Sequence, residues 1–124
     1  MTTGVIKFVS NQYDSNTKYF KEIFDNIGKY TSSLERKIQI EDSVEVLELI
    51  NYIGEELVKL NVVTPYCQRI MKDLKELGAS VKISGAGAIT GKGCGALICF
   101  SNNQKEVIKY LNTQGLSYFK TNLF

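Results

Sequence analysis

The sequence has no histidine and no tryptophan, only one proline, and three cysteines in 124 residues. Lacking histidine, it lacks the commonest general base and the commonest metal ligand. Cysteine cannot replace it as a ligand set. Cys67, Cys94 and Cys99 form no C-x-x-C pair and fall one short of a four-thiolate zinc site. An odd count also fits poorly with a secreted disulfide framework, so three reduced thiols in a cytoplasmic protein are expected. Charge is nearly balanced, fifteen Lys and Arg against thirteen Asp and Glu, and a net charge of +2 is too small for a nucleic-acid or membrane-surface footprint. Long apolar runs are missing as well. The longest clean one, Ala96 to Phe100, is far too short to span a bilayer, and Met1-Thr2-Thr3-Gly4 does not open a signal peptide. What remains is an ordinary globular composition, 44% hydrophobic and 23% charged, on a chain of single-domain length.

Val5 to Val9 is rich in β-branched residues and predicts an opening strand, with Ser10 to Thr17 as a loop after it. Phe20, Ile23, Phe24 and Ile27 then mark one stripe of a helix. Gly28 is one stopping point for it, while Tyr30 and Leu34 continue the spacing. Asp42 and Glu45 form a capping-box pattern ahead of a second stripe, Leu47, Ile50, Ile53, Leu57 and Leu60. Thr64-Pro65 opens another helix, with Ile70, Met71, Leu74 and Leu77 inward and Gly78 suited to the left-handed position after the last turn. From Ala79 the period changes to two. Strands are predicted over Ala79 to Ser84 and Ala96 to Phe100, then a short helix capped at Asn103, then a closing strand over Leu116 to Lys120. That order predicts an α+β fold, a ferredoxin-like sandwich with a four-stranded antiparallel sheet and extra helices in the first crossover. No linker or repeat divides the chain, so residues 1–124 are expected to form one domain.

Five of the ten glycines fall between Gly85 and Gly95. Glycine at that density admits positive φ and lets backbone N–H groups approach a bound group closely, which makes phosphate the natural ligand. Ser84 and Thr90 add hydroxyls, Lys82 and Lys92 positive charge. The two common phosphate motifs do not apply. A Walker A loop would require glycine at 86 and a hydroxyl at 93, where the chain has Ala86 and Gly93. A dinucleotide G-x-G-x-x-G would require glycine at 90, where it has Thr90. Both also need a helix after the loop, whereas this one leads into an apolar strand.

The string Leu77-Gly-Ala-Ser-Val-Lys-Ile-Ser84-Gly85-Ala86-Gly87, followed by Gly93-Cys-Gly-Ala-Leu97, resembles the C-terminal motif of the GHMP small-molecule kinases. Galactokinase, homoserine kinase and mevalonate kinase belong to that family. The C-terminal domain of the family is ferredoxin-like with additional helices, and the resemblance extends from about Val5 onward. The Lys-Ile-Ser-Gly-Ala-Gly wording is closest to the mevalonate branch, that is, phosphoryl transfer to a hydroxyl in isoprenoid precursor synthesis. One difference is that Ala88 to Lys92 lengthen the loop before Gly93-Cys94.

The resemblance implies that Ser84, Gly85, Ala86 and Gly87 face the phosphate-transfer site, with Lys82, Thr90, Lys92 and Gly93 as weaker candidates. It implies ATP and Mg²⁺ in the complete enzyme, a small-molecule substrate, and an N-terminal kinase domain as partner. The Gly-Ser-Ser ATP loop of that N-terminal domain has no counterpart here, nor do its acidic catalytic residue and lysine. No catalytic residue, bound metal or tightly held cofactor is therefore expected in this chain, which should be inactive alone. A homodimer is the other partner to consider; nucleic acid and membrane are not expected. Of the aspartates, Asp42 is a cap, Asp25 and Asp73 fall on polar helix faces, and Asp14 is a weak candidate in the predicted loop. The competing reading is a stand-alone ferredoxin-like regulatory module holding a small anionic metabolite in the Gly-rich loop.

Overall fold

A computed structural model describes residues 2–84, 87 and 95–121. Five helices and two strands run in the order α1 (Thr2–Ser15), α2 (Thr17–Gln39), α3 (Ser43–Lys59), α4 (Pro65–Glu76), β1 (Ser80–Ser84), β2 (Ala96–Phe100) and α5 (Gln104–Thr113). The strands pair antiparallel, Val81 opposite Cys99 and Ile83 opposite Leu97. Among the described residues this two-stranded ribbon is the whole sheet, so the expected four-stranded ferredoxin-like sandwich is not the fold of the described chain.

Both outer strands of that expectation fail for identifiable reasons. Val5 to Val9 lies inside α1. Alternation would place Lys7 on one face with Val5 and Val9. Helical spacing instead aligns Val5, Val9 and Tyr13 and turns Lys7 outward, and all three aligned residues pack on the core. The predicted loop over Ser10 to Thr17 is accordingly helical through Ser15. At the other end, Leu116 to Lys120 follows a chain reversal at Gly115 (φ +70°), where Leu116 N–H donates to the Leu111 carbonyl at 2.9 Å. Leu116 packs inward, but Tyr118 and Phe119 are exposed and no strand forms there.

The central helices follow the sequence closely. Helix α2 passes through Gly28 to Gln39, carrying the stripe on to Tyr30 and Leu34. Asp42 accepts from Glu45 N–H at 3.2 Å, while its own N–H bonds the Lys37 carbonyl and closes the α2–α3 turn. Thr64 caps α4 by accepting from Cys67 N–H at 3.3 Å, with Pro65 at the first helical position. Gly78, at φ +87°, ends that helix, and Ala79 N–H reaches back to the Leu74 carbonyl. At α5, Asn103 makes no side-chain cap. Cys67 is disulfide-bonded and Cys99 is free, so the expectation of three reduced thiols does not hold; Cys94 lies outside the described residues.

The core gathers Ile70, Met71 and Leu74 of α4, Val81 and Ile83 of β1, Phe20 and Ile23 of α2, and Leu60, Val62 and Val63 between α3 and α4. Helix α3 packs along α2 on one side and against β1 on the other. The β1 contact is possible because residue 54 is glycine. A Cβ there would stand 2.6 Å from the Val81 carbonyl oxygen.

Candidate functional site

The site is built where β1 ends. Two links hold that strand to α3. Asn51 Oδ1 accepts from Val81 N–H at 3.0 Å, and Asn51 Nδ2 donates to Ser80 Oγ at 3.3 Å. A backbone donor on the strand's outer edge, which would otherwise be buried without a partner, is satisfied by a helix side chain. Ser84, half-buried, closes the ribbon opposite Ala96, and Gly95 (φ +80°) stands against the Ser84 carbonyl.

Gly87 lies beyond Ser84 at φ +79°, pressed on the connection between α3 and α4. A Cβ at this position would collide with the Val62 carbonyl oxygen and stand 3.1 Å from Ile83 Cδ1. Only glycine satisfies both the dihedral and the approach. The surface it rests on is braced from three directions. Gln12 of α1 donates through Nε2 to the Leu60 carbonyl at 2.8 Å, and its Oε1 accepts from Asn61 Nδ2 at 2.6 Å. Gln68 Nε2 donates to the Val63 carbonyl at 2.9 Å, and Thr64, fully buried, turns its hydroxyl oxygen onto the first turn of α4. Gly87 thus lies over a fixed shelf beside the start of α4.

Of the residues expected at the site, Ser84 ends β1 opposite Ala96 and Gly87 lies against Val62 and Ile83. Lys82 is on the same strand, but its ammonium donates to the Ile83 carbonyl at 2.7 Å, and burial holds its pKa below the ordinary lysine value. Gly85, Ala86, Thr90, Lys92 and Gly93 lie outside the described residues. Asp14 is exposed on α1, away from the predicted loop setting. Asp73 is not simply solvated, since it accepts from Tyr110 OH at 2.6 Å and ties α5 to α4. Gln12 falls in a segment that the sequence predicts as a loop but that lies in α1, so the expectation does not single it out. A polar residue one position before the Val5-Val9-Tyr13 stripe ends was the available signal.

Among the described residues no cluster of Asp, Glu and Cys could hold a metal ion. Two open grooves exist nearby. One of about 460 Å³ is lined by apolar side chains including Val9, Tyr13, Phe24, Leu57 and Val62, so it reaches the shelf under Gly87. The other, about 620 Å³, runs between α3 and α4 with Lys59, Lys72 and Lys75 along it.

This chain is similar to a mevalonate kinase. It is 32% identical over 109 residues to the mevalonate kinase of Saccharolobus solfataricus, a match covering 86% of this chain and 33% of that protein. The chain therefore spans about a third of the length of the curated relative it matches. A match covering that share of the chain necessarily includes the segment from Leu77 to Leu97. The similarity supports a kinase-like fragment of the GHMP type at that coarse level. No protein-family profile matches the chain, and no solved structure matches it. No helix among the described residues is long and apolar enough to cross a membrane.

Proposed function

We propose that this chain is the Gly-rich-loop portion of an ATP-dependent small-molecule kinase of mevalonate kinase type, acting with an N-terminal kinase domain and inactive alone. The observation carrying this reading is the similarity to mevalonate kinase through the segment whose Gly87 lies against the α3–α4 connection. In that setting Ser84 and the backbone at Gly87 face the transferred phosphoryl group, and the shelf of Val62 to Thr64 fixes their position. Phosphoryl transfer depends chiefly on positioning and on charge stabilisation, and a preorganised loop contributes the first of these. The close approach at Gly87 is to the Val62 carbonyl and Ile83, so it fixes where this residue lies and is not itself a mark of a bound phosphate. Mg²⁺ does not fit the described residues, which offer no carboxylate cluster, so metal binding falls to the other portion of the enzyme. Bound there, Mg²⁺ would neutralise phosphate charge.

The test is a fusion of residues 1–124 to the portion of the Saccharolobus solfataricus mevalonate kinase that precedes the matched region. The chain alone should show no ATP turnover, and the fusion should phosphorylate mevalonate. Ser84→Ala in the fusion should lower kcat by about tenfold, the loss of one hydrogen bond at the transferred group. Turnover by residues 1–124 alone would refute the division of labour, and an inactive but folded fusion would refute the mevalonate assignment. Tight binding of a phosphorylated metabolite by the isolated chain would instead favour a self-contained binding module.

A further inference from the structure

The outer edge of β1, the one turned from β2, is held by side chains. Val81 N–H points that way to Asn51, which makes Val81–Cys99 and Ile83–Leu97 the non-hydrogen-bonded pairs of the ladder. The Ile83 carbonyl therefore points outward on the same edge. Its partner is the Lys82 ammonium, which donates to it at 2.7 Å. Asn51 fixes the edge at Val81, and Lys82 fixes it further along, where β1 ends.

The fold leaves room for this lysine. Gly54 of α3 lies against the strand here, and a Cβ on it would stand 3.3 Å from Lys82 Cβ as well as 2.6 Å from the Val81 carbonyl oxygen. The Lys82 stem starts beside that gap, half-buried, with Ile98 opposite it on β2. Among the described residues no carboxylate comes within ion-pair distance of its ammonium, and Glu55, next to Gly54, is turned to Lys75 of α4. No acid therefore draws the ammonium from the carbonyl. A bond from a charged donor to a backbone oxygen is stronger than one between neutral groups.

We propose that Lys82 is a positioning residue for Ser84. The Ile83 carbonyl and the Ser84 N–H belong to one planar peptide. Ser84 and Ala96 are a hydrogen-bonded pair of the ladder, so β2 holds the N–H side of that peptide. Lys82 holds the carbonyl side. Pinned on both sides, the peptide sets the direction in which Ser84 leaves the strand, and with it the place from which the Ser84 hydroxyl reaches out. Lys82 acts through Ser84 and not on a bound group itself, because its ammonium is turned to the Ile83 carbonyl. The catalytic consequence rests on the kinase reading above; the positioning of Ser84 does not.

Amide hydrogen exchange and catalysis test this separately. In residues 1–124, Lys82→Met keeps the stem and removes the ammonium. Exchange at the Ser84 amide should then quicken by about tenfold, the loss of one charge-assisted hydrogen bond. The Val81 amide, held by Asn51, is the internal reference and should exchange as in the wild type. Lys82→Arg should restore protection at Ser84, and circular dichroism checks that each variant is folded. In the fusion described above, Lys82→Met should lower kcat by about tenfold and leave the KM for mevalonate within about twofold, with Lys82→Arg recovering most of the rate. Unchanged exchange at Ser84 overturns the proposal. So does equal quickening at Ser84 and Val81, which would mark a general loss of stability. An active fusion in which Lys82→Met keeps full kcat overturns it as well. A folded but inactive wild-type fusion refutes the mevalonate reading alone, and the exchange result then decides the role of Lys82.

Discussion

Gly87 lies so close to the Val62 carbonyl oxygen that the backbone of the Gly-rich segment and that of the α3–α4 connection leave no room for a side chain between them. The two residues come from segments separated by α4 and β1. Their contact joins the start of the loop to a connection that Gln12, Thr64 and Gln68 already hold in place. The position of Gly87 is thus set by packing beneath it, and this makes individual substitutions informative.

Gly87→Ala should destabilise the fold by about 3 kcal/mol, combining strain at positive φ with displacement of the Val62 backbone. Gly28→Ala is the matched control. Gly28 is exposed inside α2 and nothing stands within 4 Å of a Cβ there, so alanine should stabilise by ~0.5–1 kcal/mol. Urea denaturation of both variants measures the contrast. Equal effects would mean that the Gly87 contact is not a constraint.

Asn51 is the counterpart on the other side of the strand. Asn51→Ala removes the acceptor of Val81 N–H at a residue with 0% exposure, leaving a buried donor without a partner. The expected loss is about 1–3 kcal/mol. Amide hydrogen exchange should show the opening concentrated at Val81 and its neighbours. Asn51→Asp keeps an acceptor for that N–H but loses the donor to Ser80, and should cost less.

How much of this was legible in the sequence depends on which forces set each element. Helices α3 and α4 announce themselves, because Asp42, Thr64, Pro65 and Gly78 each carry a local backbone preference that the fold obeys. The β1–β2 ribbon is equally visible in the change of period at Ala79. The expected opening strand does not form because β-branched propensity at Val5 to Val9 is weak against helical burial of Val5, Val9 and Tyr13. At Leu116 to Lys120, alternation has no strand beside it to pair with among the described residues. Glycine density and hydroxyl chemistry single out Ser84 and Gly87 in the sequence, but nothing there points to the residues that brace the connection beneath Gly87. Gln12 acts across 48 residues of sequence, and no spacing rule connects it to Leu60.

Glu56 tests a different balance. It is 5% exposed, Lys59 reaches one carboxylate oxygen at 2.9 Å, and the other, Oε2, is buried without a partner among the described residues. Desolvation of such a group opposes folding, and its ion pair involves a lysine that is half exposed. Glu56→Leu should therefore leave stability unchanged or raise it by up to about 1 kcal/mol. The same change should lower the pKa of Lys59, which the Glu56 hydrogen bond and charge hold above the ordinary value. Denaturation midpoints measure the first effect and NMR titration of the Lys59 side chain the second.

Tyr110 supplies a pH-dependent link. Its pKa is pushed up to about 12, first by burial and then by the hydrogen bond to Asp73. The phenol is easier to ionise in the unfolded chain, where it titrates near 10.0. The stabilisation is therefore complete below pH 10.0 and is lost as pH rises towards about 12, because the unfolded state releases its proton first. Spectrophotometric titration should show one tyrosine ionising later than the others. Tyr110→Phe should remove that late step and destabilise the chain by about 1 kcal/mol at neutral pH, the net value of one partly solvated hydrogen bond. If all tyrosines ionise together, Tyr110 does not hold α5 to Asp73 in solution.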